Sequence, residues 1–325
     1  MSAPLWIRES DVRLSLAESI GHLRAAMTRK ATGAALNMQK THAQWPGGNM
    51  HAIGAVFRDT GILGVKAWAH TPKGATPLEL LWDCENGKLL AVIEAFAMGQ
   101  LRTAGIAGVA TDCLADGQAD LLAICGTGKQ ALAQVAAVKS VRALKSVHIY
   151  GRDPSRRALF AGRVRRELEV NAQEFDDVAL AVKSAPVITL ITRASQPFLA
   201  ADAPPKGSHI NAMGAITPER QEFSPTLLDR CSVVAVDSVA TAKELASELI
   251  AAWRGDFERP ELHELDELVA SNVRRPPAAD LTLFKSLGVG VSDLALAEQI
   301  YRQARDRGVG VALPEPAPVP LSFSA

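Results

Sequence analysis

The chain has 325 residues, of which 48% are hydrophobic and 22% are charged, so it is long enough to bury a large core without a disulfide or metal staple. Its 35 Lys and Arg residues balance its 35 Asp and Glu residues, which argues against a general electrostatic grip on nucleic acid or on a membrane surface. None of its 4 cysteines forms a CxxC pair, so neither a metal site nor a redox pair is expected, and scattered free thiols fit a cytoplasmic protein.

The N-terminal segment is predicted to contain one helix, over residues 17–30. Candidate caps for its start are Ser10, Asp11 and Ser15. The first eleven residues hold two acids and no long apolar run, so they do not resemble a signal peptide. The longest apolar runs in the chain have the length of strands, and therefore no transmembrane helix is expected.

Short apolar segments then predict strands. They lie at residues 52–57, 62–68, 78–83 and 88–93. The last two are predicted to form a hairpin, because Asn86 followed by Gly87 suits a type I′ turn.

A helix is predicted over residues 95–115. Three glycines in it, Gly99, Gly105 and Gly108, lower its intrinsic helix propensity. We infer that another element packs very close to the face that carries them.

The pattern changes after Ala119, where strand-length apolar runs alternate with helical stretches. Strands are predicted at residues 121–125, 147–150, 187–192, 210–213 and 233–236. Helices are predicted between them at residues 131–141, 154–168 and 176–184. This alternation predicts a parallel sheet with helices on both faces. A last helix is predicted over residues 293–307, followed by a proline-rich tail that we expect to be extended.

The clearest local motif joins the strand at residues 121–125 to the helix that follows it. It reads Gly126-Thr127-Gly128-Lys129-Gln130-Ala131. In this GxGxxA pattern the first glycine permits the tight turn, the second lets the backbone approach a pyrophosphate, and the small last residue lets helix and strand pack. Free N–H groups at the helix N-terminus also favour phosphate. The motif and its strand–turn–helix context predict a dinucleotide-binding site of the Rossmann type.

The end of the next strand bears on the choice of dinucleotide. Gly151 stands at the tip, and Arg152 and Asp153 follow it. A guanidinium suits the 2′-phosphate of NADP, whereas a carboxylate accepts hydrogen bonds from the bare ribose of NAD. The sequence favours NADP and leaves NAD open through Asp153.

Five segments resemble, in the same order, motifs of the ornithine cyclodeaminase/mu-crystallin family. They are residues 100–104, 126–131, 209–214, 236–238 and 283–288, with Asp293 after the last. The resemblance covers nearly the whole chain. It implies an α/β fold in which residues 117–290 form a Rossmann NAD(P)-binding domain. Residues 1–116 and 291–325 would form an α+β substrate-binding and dimerisation domain from the N-terminal part and the C-terminal helix, and a homodimer is expected.

The resemblance, taken with the glycine turn and the strand tip, also implies which residues line the cofactor. They are Thr103, Gly126, Thr127, Gly128, Lys129, Gln130, Gly151, Arg152, Asp153, Thr192, Ala212, Met213, Ser286, Leu287 and Gly288.

Members of this family grip the substrate carboxylate with three cations. Arg102 and Lys66 match two of them, and the third, usually an arginine, falls on Lys40. A lysine gives a point charge in place of a bidentate fork, so the substrate would be oriented less strictly there. Outside the family pattern, a lysine at a strand end or an arginine in a helix is most often a solvated or ion-paired side chain.

Two acids that ornithine cyclodeaminases place around the amino groups of ornithine are absent. Their positions fall on Gly48 and Ile216. Neither residue can hold an ammonium group or move a proton. The pattern therefore resembles the reductases and dehydrogenases of the family more than its cyclodeaminases.

Two histidines are candidates for additional roles. His51 replaces a family proline. His70 follows Lys66 by four residues, so Lys66 and His70 would share one face of an extended strand. Either could protonate an imine or bind a second carboxylate, and either could be a structural histidine. We expect Lys66, Arg102 and His51 to be catalytic, with Lys40 and His70 completing the substrate site. Asp237 and Asp293 carry no pattern that decides between a site role and a capping role.

The sequence thus predicts an oxidoreductase that uses NAD(P)H to reduce a small 2-imino acid to the L-amino acid. Iminosuccinate becomes attractive as a substrate if both histidines face the site, and cyclic ketimines such as Δ1-pyrroline-2-carboxylate compete with it. The alternatives are an ornithine-type cyclodeaminase, which releases ammonia without net cofactor turnover, and a ligand-binding protein without catalysis.

Overall fold

The computed structural model describes residues 3–254 and 261–321, and its strands form two sheets. The strands are β1 (Leu5–Ile7), β2 (Ala35–Asn37), β3 (Thr41–Trp45), β4 (Gly48–Phe57), β5 (Ile62–Thr71), β6 (Gly74–Ala75), β7 (Leu78–Asp83), β8 (Leu89–Glu94), β9 (Leu121–Cys125), β10 (Ser146–Tyr150), β11 (Asn171–Phe175), β12 (Val187–Leu190), β13 (His209–Ala212), β14 (Cys231–Val236), β15 (Leu262–Glu264), β16 (Leu281–Lys285) and β17 (Val311–Ala312). The helices are α1 (Leu16–Ala31), α2 (Phe96–Leu114), α3 (Ala131–Val141), α4 (Pro154–Leu168), α5 (Val178–Val182), α6 (Val239–Leu245), α7 (Ser247–Arg254), α8 (Leu265–Ala270) and α9 (Gly290–Arg307). None of the helices in these ranges combines the length and the apolar character needed to cross a bilayer.

The second sheet is wholly parallel, in the order β11-β10-β9-β12-β13-β16-β14-β15. The strand order reverses between β9 and β12, because β10 and β11 lie on one side of β9 whereas β12 and β13 lie on the other. Ligands of such sheets bind outside the carboxyl ends of the strands at this switch point. The predicted α/β class is therefore confirmed, and the expected site lies at this edge.

The first sheet has the order β17-β1-β8-β7-β5-β4-β2, with β3 and β6 attached to β4 and β5. Its pairs are antiparallel except that of β1 with β8. Strands from residues 5–94 are joined there by β17, which comes from beyond the last helix. Both ends of the described chain thus contribute to one sheet.

Local sequence signals account for several helix bounds. Ser15 begins α1 with a reciprocal capping box, in which its hydroxyl accepts from the backbone N–H of Glu18 while the Glu18 carboxylate accepts from the backbone N–H of Ser15. Helices α3 and α4 have the bounds that the sequence predicts. Asp153 begins α4, since its carboxylate accepts from the backbone N–H of Arg156.

The hairpin of β7 and β8 forms, but the predicted type I′ turn is wrong. That turn needs a positive φ at both central residues, and only Gly87 has one, at +68°. The Asp83 carboxylate instead accepts from the backbone N–H groups of Glu85 and Asn86 and holds a longer loop. A side chain that satisfies the loop backbone has decided the turn type.

The predicted close packing on α2 is present at two of the three glycines. A β-carbon at Gly105 or Gly108 would run into the side chains of Leu23 and Ile20 on α1, whereas Gly99 faces open space. The other end of α2 packs against the parallel sheet, where Asn211 donates to the Thr111 hydroxyl at 2.9 Å. Helix α2 therefore links the two sheets.

Helix α9 lies across the first sheet at its N-terminal end. A β-carbon at Gly290 would overlap the backbone oxygen of Gly54 on β4. The absence of a side chain at Gly290 lets the first turn of α9, which carries Asp293, come down onto β4.

We predict that Gly290→Ala lowers the free energy of unfolding by about 1–3 kcal/mol or more, because the added methyl group meets backbone, which cannot rotate away. Urea denaturation measures the change. Gly21→Ala is the matched control: Gly21 lies on α1 with nothing within 4 Å, and alanine there should stabilise by roughly 0.5–1 kcal/mol. Equal effects of the two substitutions would contradict the close contact.

Candidate active site

Two cations from different elements meet one buried carboxylate between the sheets. Lys66 comes from β5, Arg102 from α2 and Asp293 from the first turn of α9. The Lys66 ammonium pairs with Oδ1 of Asp293, and the Nε of Arg102 lies 3.1 Å from the same oxygen. Lys66 is 4% exposed and Asp293 is fully buried. Burial and the Arg102 charge lower the pKa of Lys66, while Asp293 opposes them.

Lys40 faces the same cluster from the segment between β2 and β3. It is half-buried, and burial followed by the Arg102 charge lowers its pKa. The charges of Lys66 and Asp293 also act on it. The three cations that the sequence assigned to one carboxylate are thus brought together by the fold.

Asp237 shapes the turn that follows β16 at the carboxyl edge of the parallel sheet. Its carboxylate accepts from the Ser286 hydroxyl at 2.8 Å and from the backbone N–H groups of Leu287 and Gly288 at 2.9 and 2.7 Å. A β-carbon at Gly288 would lie 3.0 Å from Nη1 of Arg102. The turn therefore lets the Arg102 guanidinium reach the edge of the sheet. The backbone N–H groups of the turn are already bonded to Asp237.

His51 belongs to an aromatic stack beside the cations. Its ring lies 4.8 Å from Trp68 and 5.7 Å from His42, measured between centroids. Burial and then the Lys40 charge lower the pKa of His51 to about 4, so the ring is neutral at pH 7. The Lys66 ammonium lies 5.1 Å from the centroid of the Trp68 ring. The stack thus gives the site a flat, uncharged wall.

His70 lies on the strand face that carries Lys66, but at the outer end of β5, where it is exposed. It pairs with Asn49 in the register of β4 and β5. His209, the first residue of β13 in the parallel sheet, is a core residue: its ring bonds to Thr282 and Asn211, and burial lowers its pKa to about 3.

The glycine turn after β9 has the geometry of a pyrophosphate cradle. Gly126 has a φ of +123°, and a β-carbon there would lie 2.5 Å from the backbone oxygen of Ile191. Gly128 and Lys129 are exposed in front of the N-terminus of α3, with Thr127 and Gln130 half-buried beside them. These features fit a dinucleotide phosphate on the helix N-terminus.

At the tip of β10 the residue that is accessible to a ligand is a cation and not an acid. Arg152 is exposed there, whereas Asp153 caps α4. Gly151 packs against Thr127 of the glycine turn and Arg157, whose guanidinium donates to the Gly151 oxygen at 2.5 Å.

Four further residues that the sequence assigned to the cofactor lie behind this edge. Thr103 donates to the Gly99 oxygen at 2.8 Å, and Thr192 donates to Glu222 at 2.7 Å. Ala212 and Met213 are buried in the core. Thr103 and Thr192 are half-buried, so of the four only these two side chains are partly accessible.

The glycine turn and the cation cluster lie along one edge of the same sheet. Gly126 follows β9 and Gly288 follows β16, and the two strands are separated by β12 and β13. Three spacings of about 4.8 Å put the two turns about 14 Å apart. One extended ligand can therefore reach from the phosphate cradle to the cations.

Sequence reasoning missed several charged residues behind this edge. Glu222 accepts from the backbone N–H groups of Thr192, Gly214 and Ala215, and the Lys285 ammonium pairs with Glu248 at 3.0 Å with both side chains fully buried. These residues hold the ends of β12, β13 and β16 in place.

Glu79 was also missed, because it alternates with Leu78, Leu80 and Trp82 in β7, a pattern that predicts a solvent-facing acid, whereas its side chain is fully buried. The local residue pattern therefore gave no signal for its burial. In the described ranges, no group of three His, Cys, Asp or Glu side chains is placed to bind a metal ion.

Comparisons with known proteins agree with this architecture. The sequence profile of the ornithine cyclodeaminase/mu-crystallin family matches residues 6–308. The chain is 32% identical to Δ1-pyrroline-2-carboxylate reductase of Bacillus cereus over 234 residues, which are 71% of this chain and 72% of the relative.

Two solved structures are similar over nearly the whole chain. One is the Thermococcus litoralis Δ1-pyrroline-2-carboxylate reductase in complex with NADH and L-proline, with a TM-score of 0.89, 25% identity and coverage of 95% of this chain and 100% of that chain. The other is the iminosuccinate reductase of Paracoccus denitrificans in complex with NAD+, with a TM-score of 0.86, 25% identity and coverage of 95% and 98%. The chain belongs to the ornithine cyclodeaminase/mu-crystallin family, as the sequence motifs indicate.

We predict that Asp293→Asn lowers the free energy of unfolding by about 3–5 kcal/mol, because it leaves the buried Lys66 ammonium and Arg102 without their counter-ion. Urea denaturation without ligand measures the change. Asp153→Asn is the matched control, since asparagine caps a helix as well as aspartate does. A loss no larger than that of the control would contradict the assigned pairing.

Proposed function

We propose that this family member uses NAD(P)H to reduce a cyclic 2-imino acid, such as Δ1-pyrroline-2-carboxylate, to the corresponding L-amino acid. The observation that carries the proposal is the convergence of Lys66 and Arg102 at the carboxyl edge of the parallel sheet, on the edge that also carries the glycine turn. The relatives named as Δ1-pyrroline-2-carboxylate reductases support the same reaction.

The substrate carboxylate binds to Arg102 and Lys66, with Lys40 as a third cation. The guanidinium donates two parallel hydrogen bonds and so fixes the plane of the carboxylate. Asp293 keeps the two inner cations in position before the substrate arrives, since all three side chains share one ion-paired group. This pre-organisation lowers the cost of orienting the substrate.

The dinucleotide is held by the glycine turn and the tip of β10. Gly126 and Gly128 let the backbone approach the pyrophosphate, the N-terminus of α3 faces it, and Arg152 pairs with a 2′-phosphate. When bound, the reduced nicotinamide supplies a hydride to the carbon of the C=N bond. NADPH is the preferred form in this proposal, because the Asp153 carboxylate is engaged as a helix cap.

The imine nitrogen must also gain a proton. His51 is neutral at pH 7, so it offers a hydrogen-bonding wall and no spare proton. The Lys66 ammonium is buried and its pKa is lowered, which makes it the better acid. We assign the transfer of a proton to the imine nitrogen to Lys66, and the positioning of the substrate ring to His51 and Trp68.

The same stack favours a cyclic substrate over a dicarboxylate. A second carboxylate would need a positive partner where the neutral His51 and the flat Trp68 ring lie. An apolar ring can stack there without losing hydrogen bonds to water. Iminosuccinate is the second candidate substrate, because His70, exposed at the outer end of β5, could bind its second carboxylate.

We also propose that the chain acts as a homodimer with the two domains assigned from the sequence, residues 117–290 and the remainder. The large apolar side chains Leu36, Met38, Trp45 and Met50 are exposed on and between β2, β3 and β4. An exposed apolar face of this kind is typical of an interface.

We predict that Lys66→Ala and Arg102→Ala each lower kcat/KM for Δ1-pyrroline-2-carboxylate by about 30-fold to several thousand-fold, as expected when a buried charge pair loses one partner. The assay measures oxidation of NADPH and of NADH with a series of cyclic imines, and with keto acids in the presence of ammonia. Lys145→Ala is the control, because Lys145 is a surface lysine paired with Asp120. Unchanged kinetics in both site variants, with the cofactor still bound, would overturn the assignment.

We predict that Arg152→Ala raises the KM for NADPH by about tenfold or more and leaves that for NADH unchanged, because a charge-assisted contact is worth roughly 1.5–3 kcal/mol. Steady-state kinetics with both cofactors measure this. Arg163→Ala is the control, since Arg163 lies on α4, the helix that follows Arg152, and pairs with Glu167. Equal effects on the two cofactors would remove the preference for NADP.

A further inference from the structure

Glu79 is a buried acid beside the cation cluster. It lies on β7 directly opposite Lys66 on β5, so both side chains project from the same face of the sheet. It is fully buried, and neither carboxyl oxygen has a hydrogen-bond partner. A β-carbon at Gly64 would lie 2.9 Å from Glu79 Oε1 and 2.9 Å from Leu294 of α9, so the acid fits into a gap beneath the helix.

Asp237 provides a contrast in the same part of the fold. Both acids are removed from water, but Asp237 accepts hydrogen bonds from the Ser286 hydroxyl and the Leu287 and Gly288 backbone, whereas Glu79 accepts none. A carboxylate without donors in an apolar site takes up a proton. Burial and then the negative charge of Asp293 raise the pKa of Glu79 well above its usual range, although Lys66 and Arg102 oppose them.

The proton on Glu79 decides the net charge that a substrate meets. With Glu79 neutral, the charges of Lys66 and Arg102 exceed the one charge of their ion-paired partner Asp293, so this inner cluster is positive and attracts a carboxylate. With Glu79 ionised, two acids cancel the two cations. A charge added within several ångströms in a site that excludes water costs a bound anion much of its affinity.

We propose that Glu79 is a positioning residue that, by holding a proton, keeps the Lys66–Arg102 cluster positive, and that loss of this proton at alkaline pH releases the substrate carboxylate. The inference rests on the proposed function, because it takes the cluster as the carboxylate site. Three charged groups act on Glu79: Lys66 from β5, Arg102 from α2 and Asp293 from α9. Two more act on these neighbours, Lys40 from the segment before β3 and Asp237 after β14.

The test is calorimetric binding of cyclopent-1-ene-1-carboxylate to the protein loaded with NADPH, from pH 6 to pH 10. This probe has the ring and the carboxylate of the substrate but no nitrogen that titrates. Its Kd for the natural protein should rise by about tenfold or more over this range. In Glu79→Gln, which cannot ionise, Kd should match the natural protein at pH 6, and the midpoint of the rise should move up by at least about one pH unit.

Glu174→Gln is the matched control, because Glu174 is exposed on β11 of the other sheet. Its binding curve should follow that of the natural protein. An unchanged midpoint in Glu79→Gln would assign the alkaline loss to the lysines and overturn the proposal.

Thermal unfolding gives a second readout that does not depend on the probe. The pKa of Glu79 is higher in the folded than in the unfolded protein. Its contribution to stability is therefore fully present at pH values below the unfolded-state pKa, and it is lost as the pH rises through the folded-state pKa. The Tm of Glu79→Gln relative to the natural protein should therefore increase as the pH rises, and Glu79→Met should behave alike. A pH-independent difference in both variants would overturn the proposal. Absence of probe binding at every pH would instead contradict the proposed carboxylate grip, while the unfolding data still decide the state of Glu79.

Discussion

The shared ion pair of Lys66 and Arg102 with Asp293 is the interaction on which the rest of this structure depends. Its members come from β5, α2 and α9, so one carboxylate ties a strand of the first sheet, the helix that links the sheets and the C-terminal helix to a single point. Buried charges are tolerated only when they are paired. The site therefore exists only when the whole fold has formed around it.

The acids of this cluster affect the stability of the fold and the binding of a substrate in opposite ways. Asp293 makes two buried cations acceptable, but it also offsets part of the charge that a substrate carboxylate needs. Glu79 adds a buried acid whose carboxyl oxygens have no hydrogen-bond donor, which lowers the stability of the fold without a compensating hydrogen bond. Residues that break the packing rules in this way are expected where a protein binds or reacts, and both acids lie beside the cations assigned to the substrate.

Much of the parallel sheet could be predicted from the sequence, because its strands are apolar runs and its helices have clear ends. The bounds of α3 and α4 agree with the prediction. Strand β11 was missed, since it is a polar edge strand without an apolar run. The cations were found through the family motifs, but their partners Asp293 and Glu79 depend on how α9 and β7 pack, and no local pattern of residues specifies that contact.

In the proposed reaction, the cations hold an imino acid against the reduced nicotinamide of a cofactor on the glycine turn. The most direct measurement uses NADPH carrying deuterium at the transferable position of C4 with Δ1-pyrroline-2-carboxylate in ordinary water, and mass spectrometry of the proline formed. L-proline with one deuterium at the α-carbon is expected. Proline without deuterium at that carbon, or no formation of proline and no oxidation of NADPH, would contradict it.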